Sequence, residues 1–125
     1  MSNWKKLTLG DVASWCSGGT PSRKHPEYYG GDIPWIKTGE LKSKFLYDTE
    51  EKITLEGLRC PSAKKIPVHT VVIAMYGATI GQASITEIEA TTNQACACAV
   101  AKENVTYEFL YYYILSQKDE LVRLG

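Results

Sequence analysis

The chain has 125 residues, 44% of them hydrophobic, and its 14 lysines and arginines balance 14 aspartates and glutamates, for zero formal net charge. That length allows one domain, or part of one, with a buried core, while neutrality by itself says nothing about nucleic acid. The opening MSNWKKLTLGDVAS lacks the continuous apolar core of a secretion signal, and no stretch approaches the roughly 18 apolar residues of a membrane span, so a cytoplasmic protein with no membrane partner is expected.

In chain order, Trp4 to Leu9 reads as a short strand, Gly10 to Ser14 as a helical turn and Trp15 to Ser17 as extended chain. A long aperiodic stretch follows. Residues 17–26 hold Gly18, Gly19, Pro21 and Pro26 with Ser17 and Ser22, and Tyr28, Tyr29, Gly30 and Gly31 come before an apolar run resumes at Ile33. Structureless connections beyond about 12–15 residues are uncommon in compact domains unless they bind something or are disordered. The aromatics Tyr28, Tyr29 and Trp35 argue against disorder, which marks this as a working loop.

Ile33 to Lys37 reads as a strand, with Pro34 suggesting an edge or a strand start. Lys52 to Arg59 reads as a short helix capped by Thr54 and limited by Gly57. Val71 to Tyr76 is the strongest candidate for a central strand, because its apolar run is continuous. Gly77 and Gly81 punctuate a tight connection into Gln82 to Glu87, projecting Tyr76, Thr79 and Gln82 from a rigid base. Ala95 to Ala101 is another strand. Thr106 to Gln117 is a helix with Thr106 as N-cap, Glu108 in its first turn and an apolar face of Phe109, Leu110, Tyr113 and Ile114. The sum is a single α+β domain with a mainly β core and flanking helices, without repeats or low-complexity tracts.

Charge is unevenly distributed. Residues 1–65 carry 11 of the 14 bases against 8 of the 14 acids, net +3, which leaves residues 66–125 at net −3. Arg23, Lys24, Lys37, Lys42, Lys44, Lys64 and Lys65 are candidates for one basic surface of the kind phosphate contact needs, although such a split is also common on solvated faces. Cys16, Cys60, Cys96 and Cys98 form no C-x-x-C pair and read as reduced core residues, with Cys96 and Cys98 on one face of a strand. His25 reads as a loop residue facing solvent or phosphate, and His69 as structural. Glu50 and Glu51 are expected to face apart on a strand.

Signatures of catalysis are missing: G-x-S-x-G, H-E-x-x-H, a Walker loop and a dinucleotide fingerprint are all absent, and MYGATIGQ (75–82) has no lysine after its last glycine. No cofactor and no metal are expected.

Seven motifs then fall in an order that resembles a known family. They are Trp4, Leu7 and Leu9-Gly10-Asp11-Val12; Ser17-Gly18-Gly19-Thr20-Pro21-Ser22; Tyr29 with Gly31-Asp32-Ile33-Pro34-Trp35-Ile36-Lys37-Thr38-Gly39-Glu40-Leu41; Ile53-Thr54 with Gly57-Leu58; Ile66-Pro67 with Thr70-Val71-Val72-Ile73-Ala74; Tyr76-Gly77-Ala78-Thr79-Ile80-Gly81; and Thr92-Asn93-Gln94. Over essentially all 125 residues the chain resembles the target recognition domain of the specificity (S) subunit of type I restriction-modification enzymes. The resemblance implies sequence-specific binding of double-stranded DNA, one domain reading one half of a two-part target. It also implies that chemistry belongs to partners: a modification subunit that methylates adenine from S-adenosylmethionine, and a restriction subunit that translocates and cleaves DNA. Full-length members carry two such domains separated by long antiparallel helices. One domain ending at Gly125 is therefore expected to be a fragment, a truncated product or the N-terminal part of a longer subunit, with Leu121, Val122 and Leu124 as an apolar stripe at a severed end and a second specificity half or self-association completing the site.

On that reading the long loop reaches DNA, with Thr20, Ser22, Arg23, Lys24 and His25 donating to phosphates or base edges. Lys37, Thr38, Lys42 and Lys44 form a second patch; Tyr76 and Thr79 are further candidates, although their segment reads equally well as a hairpin turn with its tyrosine packed below; and Asn93 and Gln94 are amides suited to adenine, although Asn93 serves equally well to hold a turn. Trp35 is expected to pack rather than stack on bases. The rival reading is a carbohydrate- or peptide-binding module, suggested by eight tyrosines and three tryptophans, with Tyr111, Tyr112 and Tyr113 as its platform; a helix spreads three successive residues over a wide arc, so at least one should be buried.

Overall fold

The computed structural model describes residues 9–59 and 63–119. One helical turn, α1 (Leu9–Val12), runs directly into β1 (Ala13–Ser17). The long loop, closed by a 3-10 turn at Pro26–Tyr28, leads to β2 (Tyr29–Ile36); a second 3-10 turn at Thr38–Glu40 precedes β3 (Phe45–Leu46) and β4 (Glu51–Ile53). Then come α2 (Leu55–Leu58), β5 (Val71–Ala74), a 3-10 turn at Gly77–Thr79, β6 (Ala83–Thr86), β7 (Thr91–Thr92), β8 (Cys96–Ala101) and α3 (Tyr107–Ser116). This is a mixed α+β fold.

The strands form two sheets, a larger one in the order β1-β8-β5-β6-β3 and a smaller one in the order β4-β2-β7. Alternation along β5 shows how they stack. Val71 and Ile73 face α3 and join Ile85, Ala99, Leu110 and Ile114 in one core, while Val72 and Ala74 face the other way and join Ile36, Leu41, Leu46, Cys96 and Cys98. A strand buried on both faces needs apolar residues at every position, which is why its sequence is an unbroken run. Burial pushes the Cys96 and Cys98 thiols up to about 12, so both stay protonated and pack as small hydrophobes.

Thr106 caps α3, its hydroxyl accepting from the Phe109 amide at 3.1 Å. The buried face is Leu110, Tyr111 and Ile114, whereas Phe109 is 42% exposed. The expected face is turned by one position, with Leu110 and Ile114 kept and Tyr113 partly buried, because residues 109–114 are all apolar or aromatic and only the sheet, absent from local pattern, selects which of them is covered. Tyr111 is 8% exposed and Tyr112 56%, so the three tyrosines make no flat platform.

Other differences have local causes. Only Leu55–Leu58 is helical within 52–59, because Lys52 and Ile53 pair with β2; Thr54 is the cap, accepting from the Gly57 amide at 3.2 Å. Pro34 lies in the middle strand of the smaller sheet rather than at an edge. It is tolerated because β7 pairs β2 only at Trp35 and Ile36, and the Pro34 carbonyl accepts from the Thr91 hydroxyl at 2.9 Å. Leu9 opens α1 instead of ending a strand. Residues 4–8, Cys60, Leu121, Val122 and Leu124 lie outside the described residues. His69 adopts φ 69°, donates its amide to the Thr86 carbonyl and stacks on Tyr107 with ring centroids 4.0 Å apart, fixing where α3 begins.

Candidate nucleic-acid interface

Register places the ends of many strands at one rim. Ser17, at the end of β1, pairs with Ala97 near the start of β8; Ala74, at the end of β5, pairs with Cys96; and Ile73 pairs with Ala83 at the start of β6. β3 runs parallel to β6, so its approach, Lys42 to Lys44, arrives at the same end, tied by the Ser84 hydroxyl to the Ser43 carbonyl at 2.5 Å and by the Ile85 amide to the Lys44 carbonyl at 2.7 Å. β2 pairs in parallel with β7 at Ile36 and Thr92, which brings Lys37 and Thr38 beside Asn93. The start of the long loop, the turn 93–95, the turn 75–82 and the segment 37–44 thus share one end of the molecule, while residues 26–28 run back along the smaller sheet to the start of β2, tied to Thr54.

The loop is docked rather than free. Gly18 approaches β7 so closely that a Cβ there would lie 2.0 Å from the Thr92 carbonyl oxygen. Gly19 donates its amide to that oxygen at 2.9 Å and accepts from the indole Nε1 of Trp35 at 3.1 Å. Trp35, 2% exposed, is the packing anchor expected of it. Thr20 hydrogen-bonds the Gln94 side-chain oxygen, and the Tyr29 hydroxyl donates to the Pro21 carbonyl. With its base pinned, the loop exposes Ser22, Arg23, Lys24 and His25 at its tip. The Ser22 hydroxyl accepts from the Lys24 amide at 3.2 Å, and His25 sits 3.1 Å from Glu27 and stacks on Tyr28.

The amides divide by role. The Asn93 side-chain oxygen accepts from the Ala95 amide at 3.1 Å, so that half of the group holds the turn into β8. Gln94 is exposed and tied to Thr20. Tyr76, 63% exposed, caps the neighbouring turn that carries Thr79.

The bases divide as well. Glu51 takes Arg23 in a two-pronged pair, with Nη1 to Oε2 at 2.6 Å and Nη2 to Oε1 at 3.2 Å, and takes Lys37 Nζ at 3.3 Å. Glu50 lies 3.6 Å from the same Lys37, so the two acids expected to face apart converge on one lysine. The Arg23 guanidinium, then Lys37, hold the Glu51 carboxyl below the usual carboxylate range, and the hydrogen bond that Arg23 donates to Glu51 raises Arg23 in turn. Lys44 donates to the Tyr112 hydroxyl at 3.0 Å and lies over the Tyr112 ring, and that bond raises its pKa. Lys24 and Lys42, both exposed, make no side-chain ion pair among the described residues. Lys118 was missed from sequence: it lies on the helical C-terminal side of α3, yet its side chain covers Gly81 in the turn 75–82. Among the described residues no group of three or more His, Cys, Asp or Glu could hold a metal ion, and no helix is long and apolar enough to cross a membrane.

Two stacked mixed sheets ending in such a rim are the fold of a restriction specificity subunit domain. The HsdS subunit from Thermoanaerobacter tengcongensis superimposes with a TM-score of 0.71 at 17% identity, over 94% of this chain and 28% of that one. Residues 1–124 match the type I restriction modification DNA specificity domain, and the chain belongs to that family. It is 29% identical to the Escherichia coli type I restriction enzyme EcoR124I/EcoR124II specificity subunit, over 96% of this chain and 30% of the relative. It is 34% identical to the Methanocaldococcus jannaschii MjaIX specificity subunit, over 88% and 26% respectively. The chain therefore spans less than a third of these relatives' lengths.

Proposed function

We propose that this domain binds double-stranded DNA sequence-specifically, reads one half of a bipartite target, and so directs a cytoplasmic type I restriction-modification complex. It is a non-catalytic part of that complex. A modification subunit supplies methylation, a restriction subunit supplies cleavage, and a second specificity half, or a second copy of this domain, supplies the other half-site. The observation that carries the reading is the convergence of four connecting segments, rich in Lys, Arg, Thr and amide side chains, on one rim. Sequence readers need rigid strand ends behind exposed polar groups, because base edges are discriminated by hydrogen bonds of fixed direction. A glycan- or peptide-binding role finds less support, since Tyr111 is buried and the exposed rings of Tyr47, Tyr76 and Tyr112 lie on different segments.

Salt dependence tests it. Fluorescence anisotropy with a labelled duplex should give binding that falls steeply with salt, and replacing both Lys24 and Lys42 by Ala should lower the slope by about 2 for every sequence alike. Binding to oligosaccharide with no salt dependence, and none to duplex, would overturn the proposal.

A further inference from the structure

The bases of the rim fall into two electrostatic kinds, and the difference assigns them different ligands. Lys24 and Lys42 are exposed and unpaired among the described residues, as phosphate contacts should be. Arg23 and Lys37 face Glu50 and Glu51, so that group of four side chains carries no net charge. A neutral cluster releases few counterions, and a carboxylate 2.6 Å from the guanidinium repels an approaching phosphate. Its penalty is smaller for a base edge, which carries only partial charge.

Arg23 is also held in orientation by more than one contact. Its guanidinium lies over the Tyr29 ring at 4.3 Å and the Trp35 ring at 5.1 Å, which fixes its plane. Both rings are fixed in turn, Tyr29 by its hydroxyl on the Pro21 carbonyl and Trp35 by its indole N–H on the Gly19 carbonyl. Yet the Arg23 side chain stays 55% exposed. A guanidinium has five N–H groups in a rigid fork. The end-on pair with Glu51 uses one hydrogen on Nη1 and one on Nη2, which leaves the side edge, Nε–H with the outer hydrogen of Nη2, as a second parallel fork. Two parallel donors match the two adjacent acceptors, O6 and N7, that guanine alone presents in the major groove; adenine and cytosine offer a donor there and mismatch.

We infer that Arg23 is a specificity-determining residue that reads a guanine, and that Glu51 is its positioning residue, holding one edge of the fork so that the other meets the base. This rests on the DNA-binding reading proposed above and adds to it a base identity and a division of labour. Glu51 serves discrimination at the expense of general affinity, because it neutralises a base that would otherwise attract any phosphate.

The test uses the 125-residue chain and a pool of duplexes with a randomised central stretch, at low ionic strength, with folding of each variant checked by circular dichroism. Wild type should enrich a guanine at one position. Arg23→Lys keeps the charge and loses the fork; it should still bind random duplex but lose the preference at that one position, a loss of discrimination of roughly 5- to 150-fold. Glu51→Gln should move the two properties in opposite directions, with tighter binding to random duplex, a salt slope steeper by about 1, and weaker preference at the same position. Placing 7-deazaguanine, which lacks the N7 acceptor, in the selected duplex should weaken wild type and leave Arg23→Lys unchanged. Unaltered preference in Arg23→Lys, or an Arg23→Ala variant weakened equally on all sequences with a slope lower by about 1, would make Arg23 a phosphate contact or a loop strut and overturn the inference alone. Absence of any duplex binding by wild type would overturn the DNA-binding reading together with it.

Discussion

The face of the larger sheet under α3 and the smaller sheet with its docked loop are built from different interactions. The first is hydrocarbon: Val71, Ile73, Ile85, Leu110 and Ile114 are all fully buried. The second also buries Trp35, Ile36 and Ile53, but its loop is placed by directional contacts: Gly19 to Thr92, Trp35 to Gly19, Thr54 to Glu27 and Arg23 to Glu51. Non-directional burial gives stability without fixing any one exposed group, whereas hydrogen bonds and ion pairs fix positions and contribute little net energy. Burial stabilises both regions, but only the second adds the contacts that orient exposed groups, so variants of the core under α3 and variants of the docked loop should fail in different ways.

The largest effect should come from the core under α3. Ile73→Ala removes a side chain of β5 that is 0% exposed and packed between strands and α3, and it should destabilise the domain by about 2–5 kcal/mol in urea denaturation. Where the variant remains folded, its salt slope for duplex binding should equal that of wild type. A change in slope without a change in stability would erase the contrast between the two sides.

Gly18→Ala attacks the junction. The new Cβ would fall on the Thr92 carbonyl, so the loop must shift outward, with a stability loss of about 1–3 kcal/mol typical of overpacking. The shift should also break the Gly19 amide contact to Thr92 and displace Thr20 from Gln94, so sequence preference should fall more than general duplex affinity. Equal loss of both would show that the loop's position does not govern discrimination.

These two variants also mark what sequence could and could not reveal. β5, β8 and the Thr106 cap were legible, because an unbroken apolar run and a capping threonine are local signals. That residues 18–28 form an ordered loop was legible from its length and aromatics. What holds it was not: Gly18 meets Thr92 across 74 positions, and Arg23 meets Glu51 across 28, and neither contact leaves a trace in local composition. The same blindness grouped Arg23 with Lys24 as equivalent bases, although one is paired and stacked and the other is not. Lys118 was hidden by distance of the same kind, since only the packing of α3 brings it onto Gly81.

Thr54→Ala should have a smaller effect, about 1 kcal/mol, by removing the N-cap of α2. The same hydroxyl donates to the Glu27 carbonyl at 2.7 Å, behind the loop tip, so amide exchange should quicken in residues 25–28 and not in β5 or β8. Faster exchange throughout the domain would mean that the two sides melt as one unit.

The smallest effect concerns the Arg23–Glu51 pair, whose arginine is more than half exposed and therefore screened. Hydrogen bonding from Arg23, then from Lys37, depresses the Glu51 pKa in the folded chain, while the unfolded chain has the ordinary carboxylate value. The carboxylate's contribution is consequently complete above the ordinary value and is lost as pH falls through the depressed one. Glu51→Gln has no proton to gain there. Glu27 and Asp48, also depressed, are present in both proteins and cancel in the comparison. The stability difference between wild type and Glu51→Gln should therefore be constant from neutral pH down to the ordinary carboxylate range and then close on further acidification. Arg23, raised by the same bond, titrates far above this window and leaves it undisturbed. A difference that stays constant into strong acid would mean that Glu51 does not hold Arg23 in solution, and the neutral cluster on the rim would be lost with it.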